Sequence, residues 1–426
     1  MIDLKRLRQD PDGSRASLLR RDPALSVAVD AILELDRQRR EMLLRVETLK
    51  AERNVATEEV ARRKRDKQPA DELMAQLKAS GEEVKTLDGR LRDIESALDE
   101  RAIALPNFPS ELVPTGDASA NRVLRTWGEP PRLDFEPKPH WELGQTLGIL
   151  DMPAGAKLTG SGFPLFRGMG ARLVRALAGF MLDLHTREHG YIEIAPPYLV
   201  NRASLTGTGQ LPKFEEDLYA APADDLFLIP TAEVPVTNVH RDEILEAADL
   251  PRGYVAWTPC FRREAGAHGK DTRGLIRVHQ FDKVELVRFA RPADSAAQHE
   301  LMTGHAETVL QRLGLPYRVL ELATGDTGFA SARTYDLEVW AAGVGGWLEA
   351  SSSSTFTDFQ ARRANIRFRP EPRAKPEFVH TLNASGVAFP RTIIALLENN
   401  QTADGSVRVP EALRPYLGVD RLAPSA

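Results

Sequence analysis

A seven-residue repeat of apolar side chains in residues 25–98 constrains the fold of this chain more than any other feature. Apolar residues at that spacing form a stripe along an α-helix, and two long helices that bury such stripes against each other form a coiled coil. Residues 61–70, ARRKRDKQPA, interrupt the repeat and contain Pro69, which cannot continue a helix. The sequence therefore predicts two long antiparallel helices joined near residues 61–70. The repeat positions include Ala28, Leu35, Met42, Leu49, Ala56, Ile32, Val46, Val60, Leu77, Val84, Leu91 and Leu98.

The tip of this predicted hairpin is strongly basic. Residues 61–70 contain five lysine or arginine residues against one aspartate, and four of the five are consecutive. A coiled coil with this repeat could simply be a spacer or a dimerisation element. A basic tip on an arm of about 50 Å could instead bind the phosphates of a nucleic acid. The repeat alone leaves both functions open. The four consecutive residues are Arg62, Arg63, Lys64 and Arg65.

The chain changes character after residue 104. Residues 105–140 are rich in proline, including Pro106, Pro109, Pro130 and Pro131, which is typical of a linker. We therefore expect a helical hairpin in residues 1–104, a linker in residues 105–140 and a second domain in residues 141–426.

Composition limits the classes of protein to which the chain can belong. Its 426 residues are 42% apolar and 27% charged, as in globular proteins with a large core. The formal net charge is −5, so any contact with nucleic acid must use a local basic patch. Cys260 is the only cysteine, which excludes an intramolecular disulfide and a multi-cysteine zinc site. Without a signal-like start or an apolar run of about 18 residues, we expect a cytoplasmic protein that does not span a membrane.

Residues 261–285, FRREAGAHGKDTRGLIRVHQFDKVE, carry an unusual set of polar side chains for a strand-loop-strand segment. Arginine forks suit phosphate oxygens, an aromatic ring suits a nucleobase, and a carboxylate suits an ammonium group. The face therefore fits a nucleotide joined to a small amine, although a solvated face with ordinary ion pairs has the same pattern. Glycines in residues 265–276 predict a mobile basic loop between the limbs. Alternation places on one face Arg262 and Glu264 in the first limb, and Arg277, His279, Phe281, Lys283 and Glu285 in the second.

Several flanking segments complete the predicted second domain. Residues 171–189 have the apolar stripe of an amphipathic helix, and residues 191–200, YIEIAPPYLV, predict a strand stopped by prolines. Residues 335–355 predict a hairpin that turns at residues 343–346. Pro390 favours a helix start, which would place Arg391 at a helix N-terminus, where anions bind.

Two shorter segments are candidates for binding a small ligand. Residues 206–214, TGTGQLPKF, are too rich in glycine for a regular element and would form either a plain loop or a lid. Thr231 and Glu233 follow the apolar strand LFLIP, and continued alternation would point them the same way. A carboxylate so close to a buried strand either caps backbone groups or joins Glu285 in holding an amine.

The order of these segments resembles the three motifs of class II aminoacyl-tRNA synthetases. Within that class, the chain is similar to the seryl-tRNA synthetases of the bacterial type. The N-terminal coil and the linker, IALPNFPSELVP, match as well, so the resemblance covers essentially the whole chain. The motifs that carry it are KLTGSGFPLFRGMGARL, TGTGQLPKF, PTAEVPVTN, FRREAG, GLIRVHQFDKVE, FQARRA and TLNASG.

This resemblance implies a fold and an activity. The fold is α+β, with helices flanking an antiparallel sheet, preceded by an antiparallel two-helix coiled coil that grips the long variable arm of serine tRNA. The activity is the ATP-dependent ligation of L-serine to that tRNA through a seryl-adenylate, with Mg²⁺, in a homodimer. Selenocysteine tRNA is a further acceptor that the resemblance allows. No protein nucleophile is needed, because catalysis rests on placement and charge neutralisation.

The resemblance also implies roles for individual residues. Arg262 would hold the α-phosphate of ATP and Glu264 the adenine amino group. Adenine would lie between Phe281 and Arg391, and Arg277 and Arg391 would meet the outer phosphates. Arg262 and Arg391 are thus the implied catalytic residues. The residues implied for ATP are Arg262, Arg263, Glu264, Arg277, Val278, Phe281, Glu349, Ala350, Ser351, Ser352 and Arg391. Those implied for serine are Thr231, Ala232, Glu233, Glu285 and Ser385, those for Mg²⁺ are Glu349 and Ser352, and those for tRNA are Arg62, Arg63, Lys64 and Arg65.

One implied pair conflicts with strand alternation. In a regular strand Glu349 shares its face with Ser351 or Ser353 rather than with Ser352. Either the strand bulges there or the metal assignment is off by one residue.

The chain departs from the family pattern at two positions and leaves two other functions to consider. Ala384 and Pro390 stand where glycine is common in the family. The sequence does not determine how Ala384 changes the shape of the serine pocket. A paralogue that loads amino acids onto a carrier protein would lack the long coil, which is present here. A non-catalytic relative should have lost Arg262, Glu264 or Arg391, all of which are present.

Overall fold

The computed structural model describes residues 1–265 and 273–424, so Gly266, Gly269 and Lys270 of the predicted basic loop lie outside the described residues. The chain divides into two compact units, one formed by residues 2–106 and the other by residues 107–426 with Met1. The described α-helices are α1 Leu4–Gln9, α2 Pro11–Leu19, α3 Leu25–Arg65, α4 Asp71–Ile103, α5 His140–Thr146, α6 Met152–Thr159, α7 Met169–Arg187, α8 Arg202–Thr208, α9 Glu233–Thr237, α10 Ser295–Arg312, α11 Phe359–Ala364, α12 Phe389–Asn399 and α13 Arg414–Leu417.

The β-strands belong to one large sheet and three small ones. The described strands are β1 Arg122–Trp127, β2 Ile192–Glu193, β3 Leu199–Asn201, β4 Ala220–Ala221, β5 Leu226–Leu228, β6 Ile244–Glu246, β7 Arg252–Phe261, β8 Gln280–Ala290, β9 Tyr317–Glu321, β10 Arg333–Ala341, β11 Gly346–Thr357, β12 Arg367–Arg369, β13 Glu377–Phe378, β14 His380–Ala388, β15 Val407–Arg408 and β16 Arg421–Leu422.

Helices α3 and α4 form the predicted hairpin in the first unit. They contact each other along their length, and Ile32, Val46 and Leu49 of α3 are buried, as are Val84 and Leu98 of α4. These five residues belong to the predicted seven-residue repeat, and no helix lies between residues 66 and 70, where Pro69 stands. The coiled-coil prediction is therefore confirmed.

The second unit is built on an eight-stranded sheet with the order β1-β9-β10-β11-β14-β8-β7-β2. Its strand pairs are antiparallel except that of β2 with β7. Helices α7, α10 and α12 bury apolar side chains in one core with the sheet. The sheet flanked by helices confirms the predicted fold class, and it brings β8, β11 and β14 side by side.

The sequence prediction differs from the structure where local packing overrides a pattern. Residues 105–140 are not wholly a linker, because β1 lies within them and pairs with β9. All six residues of β1 are exposed, so backbone hydrogen bonding rather than an apolar pattern defines this strand. Strand β2 contains only two residues of the segment YIEIAPPYLV. Helix α8 extends to Thr208, so the predicted irregular segment 206–214 begins inside a helix.

Three stretches of the second unit were predicted as strands and are not. Strand β7 ends at Phe261 and β8 begins at Gln280, so neither Arg262–Glu264 nor Arg277–His279 continues the strand. Glu264 has a left-handed backbone, with φ 53°, which breaks the alternation with Arg262. Thr231 precedes α9, which begins at Glu233, instead of extending a strand. In the described part of the chain, no helix is both apolar and long enough to cross a membrane.

Candidate active site

A cavity of about 620 Å³ opens where β8, β11, β14 and the start of α12 meet. Most of the implied site residues line it, although they come from six separate segments of the chain. Among the lining residues are Thr231, Glu233, Arg262, Glu264, Arg277, Val278, Phe281, Glu349, Ala350, Ser352, Ser385 and Arg391.

Four implied residues are placed behind the wall of this cavity or beside it. Glu285 has no exposed surface, and Ala232 is buried in a hydrophobic cluster. The Ser351 hydroxyl donates a 2.6 Å hydrogen bond to the Ser385 carbonyl. The Arg263 amide donates to the Asp217 carbonyl, at 2.9 Å.

One end of the cavity is lined by arginines and an aromatic ring. The Arg262 guanidinium carbon lies 5.2 Å from the centre of the Phe281 ring, and its Nε donates to the Pro230 carbonyl at 3.2 Å. The Arg277 Nε donates to Glu264 at 2.5 Å. These cations beside an aromatic face match the chemistry of a nucleoside phosphate. His279, which alternation placed on the same face, instead meets the Arg262 carbonyl through Nδ1 at 3.0 Å.

Helix α12 holds Arg391 in its first turn, directly after Pro390, as predicted. Its Nη1 donates to the Glu349 carbonyl at 2.9 Å and lies 3.4 Å from a Glu349 carboxylate oxygen. The helix start therefore fixes a cation against β11 at the mouth of the arginine-lined end.

A bulge in β11 resolves the conflict between Glu349 and Ser352. Ser351 is paired with Leu337 of β10, but Glu349 is paired with Glu338, so Ala350 is an extra residue in β11. One extra residue reverses the alternation, and Glu349 and Ser352 consequently both line the cavity.

The surroundings of this pair fit a hard cation. Asp336 lies opposite Ser352 on β10, and its Oδ1 is buried without a hydrogen-bond partner. Burial, and then the charge of Glu349, hold the pKa of Asp336 well above its usual value. A cation bound beside these two carboxyl groups would offset both the burial of Asp336 and its repulsion by Glu349. Within residues 1–265 and 273–424, no cluster of three or more His, Cys, Asp or Glu side chains could bind a metal by itself. Mg²⁺ suits such a site, because it commonly takes one or two protein oxygens and completes its shell with phosphates and water.

The opposite end of the cavity contains a buried carboxyl network. The Glu233 carboxyl accepts a 2.6 Å hydrogen bond from Gln360 on one oxygen and a 3.2 Å bond from Asn383 on the other. Burial, and then the negative charge of Glu285, raise the pKa of Glu233 to about 7. Near neutral pH this carboxyl can thus either accept a hydrogen bond from a ligand hydroxyl or donate one to it.

Glu285 is the second carboxylate of this network. Its Oε1 accepts a 2.7 Å hydrogen bond from Asn383, which also bonds Glu233, and its Oε2 lies 2.5 Å from the Lys283 ammonium. A fully buried carboxylate with a cationic partner is suited to exchange that partner for a ligand ammonium.

The basic tip of the hairpin is less uniformly charged than its sequence suggests. Both Arg62 and Arg63 donate to the Glu59 carboxylate at 2.9 Å, and these bonds lower the pKa of Glu59. Lys64 and Arg65 are exposed at the end of α3. The tip therefore contains two arginines that share one anion and three further exposed cations, Lys64, Arg65 and Lys67.

Comparisons with known proteins agree with this geometry. Residues 1–109 match the model of the seryl-tRNA synthetase N-terminal domain, and residues 213–400 match the class II tRNA synthetase core domain for G, H, P, S and T. The serine--tRNA ligase of Citrifermentans bemidjiense is 57% identical over 98% of this chain and 99% of its own length. The chain belongs to the serine--tRNA ligase family. The activity of that family is the ATP-dependent ligation of serine to tRNA.

Solved structures of seryl-tRNA synthetases have the same fold over the whole chain. The Pyrococcus horikoshii enzyme complexed with ATP superposes with a TM-score of 0.95 at 38% identity and covers 100% of both chains. The Naegleria fowleri cytoplasmic enzyme in complex with AMP superposes with a TM-score of 0.90 at 28% identity, covering 100% of this chain and 99% of its own. Both matches include the residues of the N-terminal hairpin, which argues against the carrier-loading class.

The sequence assigned no role to three polar residues of the site in this member of the serine--tRNA ligase family, namely Lys283, Gln360 and Asn383. Lys283 had a signal, because it lies two residues from Glu285 on the alternating face of β8. Asn383 likewise lies two residues from Ser385 in the motif TLNASG. Gln360 lies in the motif FQARRA, but nothing in the sequence indicates that it reaches Glu233 from α11, 127 residues away along the chain.

The two departures from the family pattern lie in different surroundings. Ala384 has no exposed surface and belongs to the main hydrophobic core, whereas its neighbours Asn383 and Ser385 line the cavity. Pro390 lines the cavity within the first turn of α12. The extra methyl of Ala384 therefore packs into the core and does not enter the serine end of the cavity.

Proposed function

We propose that this cavity activates L-serine with ATP and that the resulting seryl-adenylate is the donor for serine tRNA. The observation that supports this most is that a single cavity contains both a cationic region suited to phosphates and a carboxyl region suited to an amine and a hydroxyl. Arg262, Arg277 and Arg391 line its phosphate-binding end, while Glu233 and Asn383 line its amine- and hydroxyl-binding end. An amino acid placed at the second end would present its carboxylate toward the first.

Arg262 stabilises the charge that develops on the α-phosphate, and Phe281 stacks on adenine. Glu264 accepts a hydrogen bond from the adenine amino group. Val278 and Ala350 line the wall around the nucleotide, and Arg263 and Ser351 support that wall, Ser351 through its bond to the Ser385 carbonyl. A serine carboxylate oxygen bonds to the α-phosphorus while the bond to pyrophosphate breaks. The 3′ hydroxyl of tRNA then attacks the acyl carbon, and AMP leaves.

Glu349 and Ser352 would bind Mg²⁺ together with phosphate oxygens of ATP. When bound, the ion supplies positive charge that offsets the charge of the leaving pyrophosphate. The support is that the bulge at Ala350 turns both oxygen ligands into the cavity, beside the unpartnered carboxyl oxygen of Asp336.

Glu285 pairs with the ammonium of serine, and Thr231, Glu233 and Ser385 surround its hydroxyl. Ala232 supports this pocket from the hydrophobic core. A pocket with buried partners for a hydroxyl rejects an analogue that lacks it by about 10⁴-fold or more. Alanine should therefore be a very poor substrate, while threonine must be excluded by the wall of the pocket.

The tRNA contacts are proposed at Arg62, Arg63, Lys64 and Arg65, which would meet phosphates of the long variable arm. Selenocysteine tRNA would be accepted on the same grounds if its variable arm has the same shape. Because a chain with a single cysteine forms no intramolecular disulfide and fits a reducing compartment, we propose that it acts in the cytoplasm.

A homodimer is also part of the proposal. The large sheet ends at β2, and large apolar side chains are exposed on β2 and on its neighbour β7, at Ile192 and Trp257. Burying such residues favours association. Light scattering on the purified protein should give twice the mass of one chain, and a monomer at micromolar concentration would contradict the dimer.

The test of the proposed function is ATP–pyrophosphate exchange with each of the twenty amino acids. Exchange should require serine and Mg²⁺ and should be at least about 10⁴-fold less efficient with alanine. Exchange without amino-acid preference, or with another amino acid preferred, would overturn the assignment.

A further inference from the structure

Lys283 is a buried lysine in the cavity wall that none of the implied roles uses. It is 5% exposed, and lysine is almost never buried unless it is paired. Its partner is Glu285, at 2.5 Å, and the second oxygen of Glu285 is bonded to Asn383. Both oxygens of the proposed ammonium-binding carboxylate are therefore engaged before serine arrives. Serine can pair with Glu285 only if Lys283 shares it or moves to another anion.

The arrangement of Lys283 and Glu285 matches the charges of an amino acid. The two residues are separated by one residue on β8, so their side chains leave the same face of the strand. A free α-amino acid carries an ammonium and a carboxylate on the same carbon, so its two charges are adjacent as well. An ammonium that approaches Glu285 consequently brings a carboxylate next to Lys283.

The other cations in the described part of the cavity wall are committed elsewhere. Arg277 is paired with Glu264, and Arg391 is held by Glu349. Arg262 lies against the Phe281 ring. Arg277 and Arg391 are thus paired with other carboxylates, and of the described cations in the cavity wall only Lys283 is paired with Glu285.

We propose that Lys283 binds the carboxylate of serine, exchanging Glu285 for that carboxylate when the substrate ammonium pairs with Glu285. This inference rests on the proposed function and adds a catalytic residue to it. During adenylation one carboxylate oxygen bonds to the α-phosphorus and the bond from phosphorus to pyrophosphate breaks. Lys283 holds the other oxygen throughout and neither gains nor loses a proton.

The test compares serine with serinol, 2-amino-1,3-propanediol, which keeps the ammonium and a hydroxyl but replaces the carboxylate by a neutral group. KM for serine and Ki for serinol as a competitive inhibitor are measured by pyrophosphate exchange with the full chain. In Lys283→Met the KM for serine should rise about 100-fold, the scale expected when a buried charge-assisted hydrogen bond is removed. Ki for serinol should not rise, because its ammonium no longer competes with Lys283 for Glu285, and KM for ATP should change less than about threefold.

Each other result has a defined meaning. If serine and serinol weaken equally in Lys283→Met, the lysine acts only through Glu285 and the inference is wrong. If neither changes, Lys283 contacts no substrate and the inference is also wrong. Absence of serine-dependent exchange in the wild-type protein would overturn the proposed function and this inference with it.

Two further variants serve as controls, one for loss of folding and one for the loss of a lysine elsewhere. Lys283→Met leaves Glu285 buried without a cation, which can destabilise the protein. Lys283→Gln can still donate a hydrogen bond to Glu285 but carries no charge, and it should show the same selective loss of serine affinity. Lys375→Met removes an exposed lysine outside the cavity and should leave both constants unchanged.

Discussion

Arg262 illustrates at the scale of a single residue how placement replaces covalent chemistry in this site. Its side chain lies between the Pro230 carbonyl and the Phe281 ring, so the guanidinium is oriented before a substrate binds. A cation oriented in advance stabilises a transition state without reorganising when charge develops.

Arg262→Ala should lower kcat of pyrophosphate exchange by about 10²-fold or more, because the removed cation faces the pentacovalent phosphorus. The fold should be unchanged, which circular dichroism would verify. Arg262→Lys restores the charge but not the planar guanidinium with its paired N–H donors, and it should recover part of the lost kcat. A soluble Arg262→Ala protein with near-normal kcat would show that Arg262 does not stabilise the α-phosphate.

At this scale the sequence predicts the site well where the backbone is regular. Phe281, Lys283 and Glu285 lie on one face of β8, as alternation requires. Alternation fails for His279, which precedes the strand, and at Ala350, where a single extra residue reverses it. A bulge depends on pairing with a second strand, here the neighbouring β10, so the sequence of β11 alone carries no sign of it.

A histidine cluster between α7 and α10 illustrates how packing at the scale of elements determines pH dependence. His185 Nδ1 lies 2.9 Å from His189 Nδ1, and the His189 and His305 rings stack at 4.0 Å. Burial, and then the two neighbouring histidines, lower the pKa of His185 to about 3. The folded protein therefore leaves His185 neutral where the unfolded chain binds a proton.

This difference predicts that stability is lost as pH falls below about 6.5 toward 3, because protons bind preferentially to the unfolded state. One such histidine contributes up to about 1.4 kcal/mol per pH unit to the free energy of unfolding. His185→Gln should flatten the dependence between pH 6 and pH 4 by about that slope. All five tryptophans lie in residues 107–426, so fluorescence during urea unfolding reports on this unit. An unchanged slope would contradict the assignment.

The end of α3 provides a second prediction at this scale. Arg62 and Arg63 share the Glu59 carboxylate, while Lys64 and Arg65 are exposed. Lys64→Ala with Arg65→Ala should therefore flatten the salt dependence of tRNA binding more than Arg62→Ala with Arg63→Ala does. The slope of log Kd against log salt should fall by up to about one for each phosphate that the variant no longer neutralises. Equal slopes for the two double variants and the wild type would show that the tip does not contact the tRNA phosphates.

Long elements were predictable because their patterns are long. The repeat in α3 and α4 spans many turns, and the apolar stripe of α7 is buried from Leu173 to Leu184. Short elements were not, because tertiary packing decides them. Thr231 and Glu233 line the cavity as expected, but a helix start rather than a strand positions them.

At the scale of the whole molecule, we expect the two units to serve the two proposed reaction steps separately. The described residues that line the cavity lie between residues 208 and 391, whereas the coiled coil lies within residues 2–106. Replacing residues 42–92 by a short flexible linker would keep the Arg39–Glu95 ion pair across the shortened hairpin. Serine-dependent adenylation should remain within a few-fold, whereas transfer to tRNA should fall steeply, because the shortened arm can no longer bind the tRNA phosphates. If the shortened protein charges tRNA as well as the full chain, the coil is only structural.

The most direct measurement is the charging of total tRNA with each amino acid in turn, followed by identification of the acylated tRNA. ATP, Mg²⁺ and the full-length protein are the only other components. We predict that serine alone is attached, and that the acylated species are tRNAs with a long variable arm. Attachment of a different amino acid, or serine-dependent exchange that never yields acyl-tRNA, would contradict this account.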